Sequence, residues 1–127
     1  MNSPMNAPLI LIAEDEDSNF TVLNILLTKR MNARTIRANN GVEAVQLCRE
    51  NHEIAIVLKD IKMPLLDGYE ATIQIKEFLP QLPIMAITAF GLTGDESKAL
   101  AAGCDDYIAK PIQTTQLIEK VKNWLKL

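Results

Sequence analysis

Carboxylates, a hydroxyl and an amine stand at the ends of several short apolar runs in this sequence, and their chemistry belongs together. Glu14 and Asp15 follow the run Leu9–Ala13, and Asp60 follows Ile54–Leu58. Thr88 and Ala89 stand at the end of Pro83–Thr88, and Lys110-Pro111 follows Tyr107–Ala109. Carboxylates crowded into a small volume repel by a few kcal/mol at an effective dielectric of roughly 20, and each raises the pKa of the next. A hard divalent cation removes that penalty. Oxygen donors suit Mg²⁺, with Mn²⁺ as a substitute, and Mg²⁺ also takes phosphate oxygens. Held by Asp15 and Asp60, such a cation would line up a phosphodonor for in-line attack by the free oxygen of Asp60. Carboxylates are competent nucleophiles in forming aspartyl phosphates. Lys110 would neutralise one phosphoryl oxygen as a point charge, and Thr88 would hydrogen-bond another. Taken singly, an acidic pair is ordinary helix capping and Lys-Pro is ordinary turn chemistry. Their joint placement at successive run ends carries the signal.

The elements that must position these residues alternate along the chain. The runs at Leu9–Ala13, Ile54–Leu58 and Pro83–Thr88 are apolar without alternation, as parallel strands covered on both faces are. Weaker runs lie at Arg34–Ala38 and Tyr107–Ala109, and the alternation Arg34-Thr35-Ile36-Arg37 suits a strand near a sheet edge. Between them, helical spacing predicts a helix over Ser18–Met31 with Asp17 as N-cap, its stripe formed by Phe20, Leu23, Leu26, Leu27 and Met31. A second helix is predicted over Gly41–Glu50 with Val42, Val45 and Cys48 on one face. A third spans Tyr69–Phe78 after the turn Asp67-Gly68. A fourth opens on the capping-box spacing Thr93 to Glu96 and ends at Gly103. The last, Thr115–Leu125, carries Leu117, Ile118, Val121, Trp124 and Leu125 on a broad stripe. Five β-α units in this order imply a doubly wound parallel sheet with right-handed crossovers. In such sheets ligands sit at the carboxyl ends of the strands, where the strand order reverses.

Composition excludes several alternatives. The 127 residues suit one domain, with residues 1–8 a tail and 9–127 the folded unit, and 48% apolar content argues against disorder. A formal charge of −3 gives no basic footprint for direct nucleic-acid binding. No run approaches the roughly 18 apolar residues of a membrane span, and the start lacks secretion-signal features, so the cytoplasm is expected. Cys48 and Cys104 match no metal spacing and are expected as buried thiols. His52, the single histidine, lies in a polar stretch expected as a surface loop, which excludes His-based triads.

The segments Ile10-Leu11-Ile12-Ala13-Glu14-Asp15-Glu16, Asp60-Ile61-Lys62-Met63-Pro64-Leu65-Leu66-Asp67-Gly68, Thr88-Ala89 and Tyr107-Ile108-Ala109-Lys110-Pro111 together resemble a response-regulator receiver domain. The likeness spans about Leu9 to Leu125, and Glu14 with the phrase from Ala102 to Tyr107 resembles the receivers of hybrid sensor kinases. The resemblance implies a flavodoxin-like (βα)5 fold with parallel strand order 2-1-3-4-5. It implies Asp60 as the phosphoacceptor, Asp15 as a direct Mg²⁺ ligand, Glu14 acting mainly through water, and the backbone carbonyl of Lys62 as a further ligand. Thr88, with Ala89 beside it, and Tyr107 match the switch pair. Lys110 matches the phosphoryl-binding lysine, and Lys110-Pro111 matches a cis peptide. The implied donor is a phosphohistidine on a histidine kinase or a histidine phosphotransfer protein. Phosphorylation of Asp60 would change the face built from the fourth helix, fifth strand and last helix, a face that also offers a weak homodimer contact.

Some positions depart from the common pattern. Glu14 stands where aspartate is commoner, and Lys59 where many members carry an apolar residue. The expectation for Lys59 is a packed stem with the amine snorkelling to water, against a sharper reading in which its charge perturbs the helix below. An aspartate-nucleophile phosphatase is disfavoured by Lys62, which occupies the place of its general acid-base aspartate. A pseudo-receiver is disfavoured by the presence of Asp15, Asp60 and Lys110, and a flavin module by the lack of a phosphate loop after the first strand. Lys62 and Phe90, two residues beyond Asp60 and Thr88, stand where side chains shield an acyl phosphate from water. Replacing both with small polar residues is expected to shorten the phosphate half-life several-fold in a timed dephosphorylation assay; an unchanged half-life would sink that role.

Overall fold

The computed structural model describes residues 7–60, 68–88 and 103–127. Five strands, β1 (Leu9–Ala13), β2 (Arg34–Ala38), β3 (Ile54–Asp60), β4 (Ile84–Thr88) and β5 (Asp106–Ala109), form one parallel sheet in the order β2-β1-β3-β4-β5. Three helices, α1 (Asp17–Met31), α2 (Gly41–Glu50) and α3 (Gly68–Phe78), and the C-terminal helix (Thr114–Leu125) cover it. The expected fold class and strand order are those observed. The chain leaves β1 toward β2 on one side and returns to β3 on the other, so the order reverses between β1 and β3. Their carboxyl ends frame the crevice where ligands bind in such sheets.

Burial on both faces explains the unbroken apolar runs. All five residues of β1 and of β4 are buried, and side chains alternate between two cores. Leu9, Leu11 and Ala13 join Val57, Ile75 and Ala86 on one face. Ile10 and Ile12 join Leu58, Ile87, Leu23, Leu27, Leu117 and Val121 on the other. β2, one of the two edge strands, is only partly covered until Ala38, in keeping with its alternation. Both cysteines are buried and free, and His52 is exposed in a turn.

Four local expectations are corrected. Asp17 is the first helical residue of α1 and not its cap; Glu16 is extended and accepts the first helical bond from the Phe20 N–H at 3.0 Å. The Asp17 carboxylate is drawn instead to Arg37 at 2.9 Å. On α2 the buried face is Gly41, Ala44, Val45 and Cys48, which leaves Val42 half exposed at its margin. Asn40 caps that helix by accepting from the Glu43 N–H at 2.8 Å. Trp124 lies 37% exposed at the rim of the C-terminal helix because its indole N–H donates to Asp106 at 2.9 Å. Lys59 does not snorkel; it is fully buried. Its sheet neighbours are Ala13 and Ala86, so small residues on both sides make room for the long chain. The charge of Lys59 acts on the neighbouring Cys48 thiol, although burial dominates there and raises that thiol to about 11. The capping box from Thr93 to Glu96 lies outside the described residues.

Two polar clusters tie the far end of the sheet. Lys76 on α3 donates to the Leu82 carbonyl and the Asp105 carboxylate, each at 2.7 Å, and Asp105 also accepts from the Ile84 N–H at 2.8 Å. One lysine thus ties α3 to the starts of β4 and β5. Gly103 precedes this cluster at φ +108°, and a Cβ there would stand 3.4 Å from Lys76 Cγ. Asp106 accepts from Lys120 and from the Tyr107 N–H, each at 2.8 Å, and from Trp124, fixing the C-terminal helix to β5. Burial pushes the Asp106 pKa upward, but these donors outweigh it and hold the carboxyl below its ordinary 3.8.

Gly103→Ala is expected to cost about 1–3 kcal/mol in urea unfolding, because a Cβ is strained at that φ. Asp106→Asn is expected to cost about 1–2 kcal/mol near neutral pH, the loss of charge-assisted hydrogen bonds. A carboxylate with a lowered folded pKa stabilises fully above its unfolded value and loses that contribution as pH falls through the folded one. The difference between wild type and Asp106→Asn should therefore shrink as urea unfolding is repeated below pH 3.8.

Candidate functional site

Four of the residues singled out by the sequence meet at the β1/β3 crevice. Glu14 leaves β1 with its N–H still donating to the Ala38 carbonyl of β2 at 3.0 Å, so the sheet's hydrogen bonding runs one residue past the strand. Its carboxylate is buried, and Oε2 accepts from the Glu16 N–H at 3.2 Å. Asp15 is exposed beside it. Asp60 ends β3, is 7% exposed, and pairs in register with Ile87 of β4. Carboxylate oxygens of Glu14, Asp15 and Asp60 all lie within 4.8 Å of one another. Lys110 brings its ammonium to 3.2 Å from Asp60 Oδ2.

The electrostatics follow from that crowding. Two unit charges about 5 Å apart repel by roughly 3 kcal/mol at an effective dielectric of about 20. One lysine offsets one carboxylate and leaves the trio with excess negative charge. Glu14 registers the result: burial, with the Asp60 charge adding to it, raises its carboxyl from 4.5 to about 7, against the opposing pull of the Glu16 N–H and Lys110. A trio of oxygen donors with surplus negative charge fits a hard divalent cation such as Mg²⁺.

The other side of the crevice is built by β4 and β5. Thr88 is buried at the last position of β4 and pairs with Ala109, its hydroxyl donating to the Ile108 carbonyl at 3.5 Å. The Lys110 N–H donates to the Thr88 carbonyl at 2.9 Å, so the two strands end together and carry the hydroxyl and the ammonium side by side. The Lys110-Pro111 peptide is cis, as the resemblance implied. Tyr107 is half-buried two register steps before the Thr88–Ala109 pair, packed against the α2–α3 core, with Lys120 Nζ 5.4 Å from its ring centroid. A cleft of about 220 Å³ opens beside the trio between α1 and the turn after β5, with Glu14, Asn19, Val22, Lys110, Pro111 and Ile112 in its walls. Lys62, Ala89 and Phe90 lie outside the described residues.

One participant was not foreseen. Arg37 of β2 reaches over the start of α1, where its Nε donates to the Glu14 carbonyl at 3.0 Å and its guanidinium sits 4.7 Å from the Phe20 ring. Only its polar place in an alternating edge strand hinted at it.

Among known proteins, the model of the response regulator receiver domain matches residues 10–122. The polar-differentiation response regulator DivK of Brucella ovis is 37% identical over 118 residues, 91% of this chain and 94% of that protein. The receiver domain of a sensor histidine kinase from Pseudomonas aeruginosa, solved with magnesium coordinated in its active-site cleft, superposes with a TM-score of 0.86 at 33% identity, covering 95% of this chain and 99% of that one. A Saccharomyces cerevisiae co-crystal of the histidine phosphotransfer protein Ypd1 with the receiver domain of Ssk1 gives a TM-score of 0.84 at 32% identity over 93% of this chain and 88% of that one. Among the described residues no helix is long and apolar enough to cross a membrane. The reversal of strand order at β1/β3, the acidic trio gathered there and a match that runs nearly the length of the sheet agree, and the chain belongs to the response regulator receiver domain family.

Proposed function

We propose that this receiver accepts a phosphoryl group on Asp60 and that the acidic trio holds the metal the transfer needs. The observation that carries the reading is the meeting of Glu14, Asp15 and Asp60 within 4.8 Å, with Lys110 at 3.2 Å from one Asp60 oxygen. Asp15 and Asp60 would ligate Mg²⁺ directly, Glu14 through water, and the Lys62 carbonyl would complete the protein ligands. When bound, Mg²⁺ neutralises the surplus carboxylate charge and orients the phosphodonor.

The chain's own groups do the rest. Lys110 donates to Oδ2 of Asp60, and a carboxylate oxygen of Asp60 is the nucleophile. That oxygen forms a bond to phosphorus as the P–N bond of a phosphohistidine breaks, and the electron pair of the broken bond stays on the imidazole, which takes a proton. Lys110 then has a phosphoryl oxygen to neutralise, and the Thr88 hydroxyl turns from the Ile108 carbonyl to another. Ala89, next to Thr88 in sequence, would join it in binding the phosphoryl group, and Tyr107 follows Thr88 inward. The face of β5 and the C-terminal helix, which the resemblance extends to the fourth helix, then changes its preference for partners, a weak second copy of the chain included. Attack of water on phosphorus releases inorganic phosphate and restores Asp60. The chain thus catalyses its own phosphorylation and dephosphorylation. A histidine kinase or histidine phosphotransfer protein is the donor this reading requires, which the pairing of Ypd1 with a similar receiver supports.

Incubation with Mg²⁺ and phosphoramidate, followed by intact-mass measurement, is expected to show one added phosphoryl group. Asp60→Asn should show none, and chelating the metal should abolish labelling of the wild type. A wild-type chain that takes no phosphoryl group, or an Asp60→Asn chain that still does, refutes the proposal.

A further inference from the structure

We infer that Arg37 is a positioning residue for the metal site: by holding the Glu14 carbonyl it sets Asp15 in place to ligate the cation. The inference rests on the reading above and deepens it. Both backbone groups of Glu14 are tied to β2, the N–H to the Ala38 carbonyl at 3.0 Å and the carbonyl to Arg37 Nε at 3.0 Å. The peptide between Glu14 and Asp15 is planar, so pinning that carbonyl also fixes the Asp15 nitrogen and Cα. Asp15 is the exposed member of the trio, whereas Glu14 and Asp60 are buried and held by the core around them. Control of the backbone matters most for Asp15.

The other contacts of Arg37 hold it in that pose. Its guanidinium lies 4.7 Å from the Phe20 ring centroid, and Nη1 pairs with Asp17 at 2.9 Å. Asp17 is 92% exposed, so the ion pair itself contributes little. Nη2 is buried with no hydrogen-bond partner among the described residues. A buried donor left without a hydrogen bond is destabilising. Stability alone would favour an apolar side chain against Phe20; the Nε–H bond to the site is what such a side chain lacks.

The charge of Arg37 and its geometry predict effects of opposite sign. A cation near the site repels Mg²⁺, so removing it would by charge alone tighten metal binding. Loss of positioning weakens binding. Metal affinity typically falls about 10–100-fold when a partner hydrogen-bonded to a ligand itself is removed. Arg37 acts one peptide away, and a loss of about 3- to 10-fold is expected.

The test is calorimetric titration of the whole chain with MgCl₂, with urea unfolding run alongside. Arg37→Met should weaken Mg²⁺ binding by that factor. It should also raise the half-saturating Mg²⁺ for phosphoramidate labelling by the same factor, leaving the rate at saturating Mg²⁺ within about twofold of wild type. Asp17→Asn, which removes only the exposed ion pair, should bind Mg²⁺ as wild type does. Should Arg37→Met fail to fold, Arg37→Lys, which retains the charge and stem without the Nε–H donor, is read by the same criterion. Binding equal to or tighter than wild type overturns the assignment of Arg37. A wild-type chain that binds no Mg²⁺ overturns instead the reading of the site as a metal-dependent phosphoacceptor.

Discussion

The carboxylates of Glu14, Asp15 and Asp60 repel one another, and the rest of the fold has to hold them together against that repulsion. Their oxygens lie within 4.8 Å, and Lys110 at 3.2 Å from Asp60 opposes the build-up of charge. A chain free to move would separate such groups by a small rotation of its loops. Here each buried carboxylate follows directly from a buried strand. β1 and β3 pair in parallel register with apolar side chains on both faces, so Glu14 and Asp60 cannot move apart without disturbing both cores. Burial, with the Asp60 charge adding to it, raises the Glu14 carboxyl to about 7. An arrangement held under such stress is suited to take up a cation, since binding removes the stress and needs little reorganisation.

Rigidity is distributed unevenly around the crevice. The β1 and β3 side is packed. On the β4 and β5 side the Thr88 hydroxyl donates to the Ile108 carbonyl at 3.5 Å, and Lys110 is 38% exposed. A hydroxyl with a long hydrogen bond gives up little when a stronger acceptor appears, and a half-exposed ammonium needs little work to shift toward new charge. Thr88 and Lys110 are joined through the ends of β4 and β5, and Tyr107 lies two register steps back along β5, opposite Ala86.

How much of this was legible in the sequence depended on whether a feature was local. Asp60, Glu14 and Lys110 stood out because each closes an apolar run, and a parallel sheet brings run ends to one edge whatever the details of packing. The five strands were legible for the same reason: β1 and β4 are buried on both faces and have no polar alternation to confuse them. What depended on register was hidden. The burial of Lys59 follows from Ala13 and Ala86 flanking it on neighbouring strands, a fact absent from its own segment. Asp17 is the first helical residue and pairs with Arg37, twenty residues along the chain, a contact its own segment does not reveal. Val42 was read as core because only large apolar residues were counted, while the buried face of α2 is made with Gly41 and Ala44.

Arg37 shows why an edge strand matters to a site it does not enter. β2 is a partly exposed edge strand, and two of its polar side chains face α1 and the turn before it: Thr35 bonds Asn24 at 2.6 Å, and Arg37 reaches the bend that carries Glu14 and Asp15. A central strand has no room for that role, because its side chains are committed to the cores on both faces. An edge strand can direct a long polar side chain along the sheet's end, where the backbone of the neighbouring strand turns away from its last ladder bond. The Ala38 carbonyl and the Arg37 guanidinium together extend the hold of β2 on that turn by one peptide. That extension reaches Asp15, whose own side chain is exposed and outside both cores.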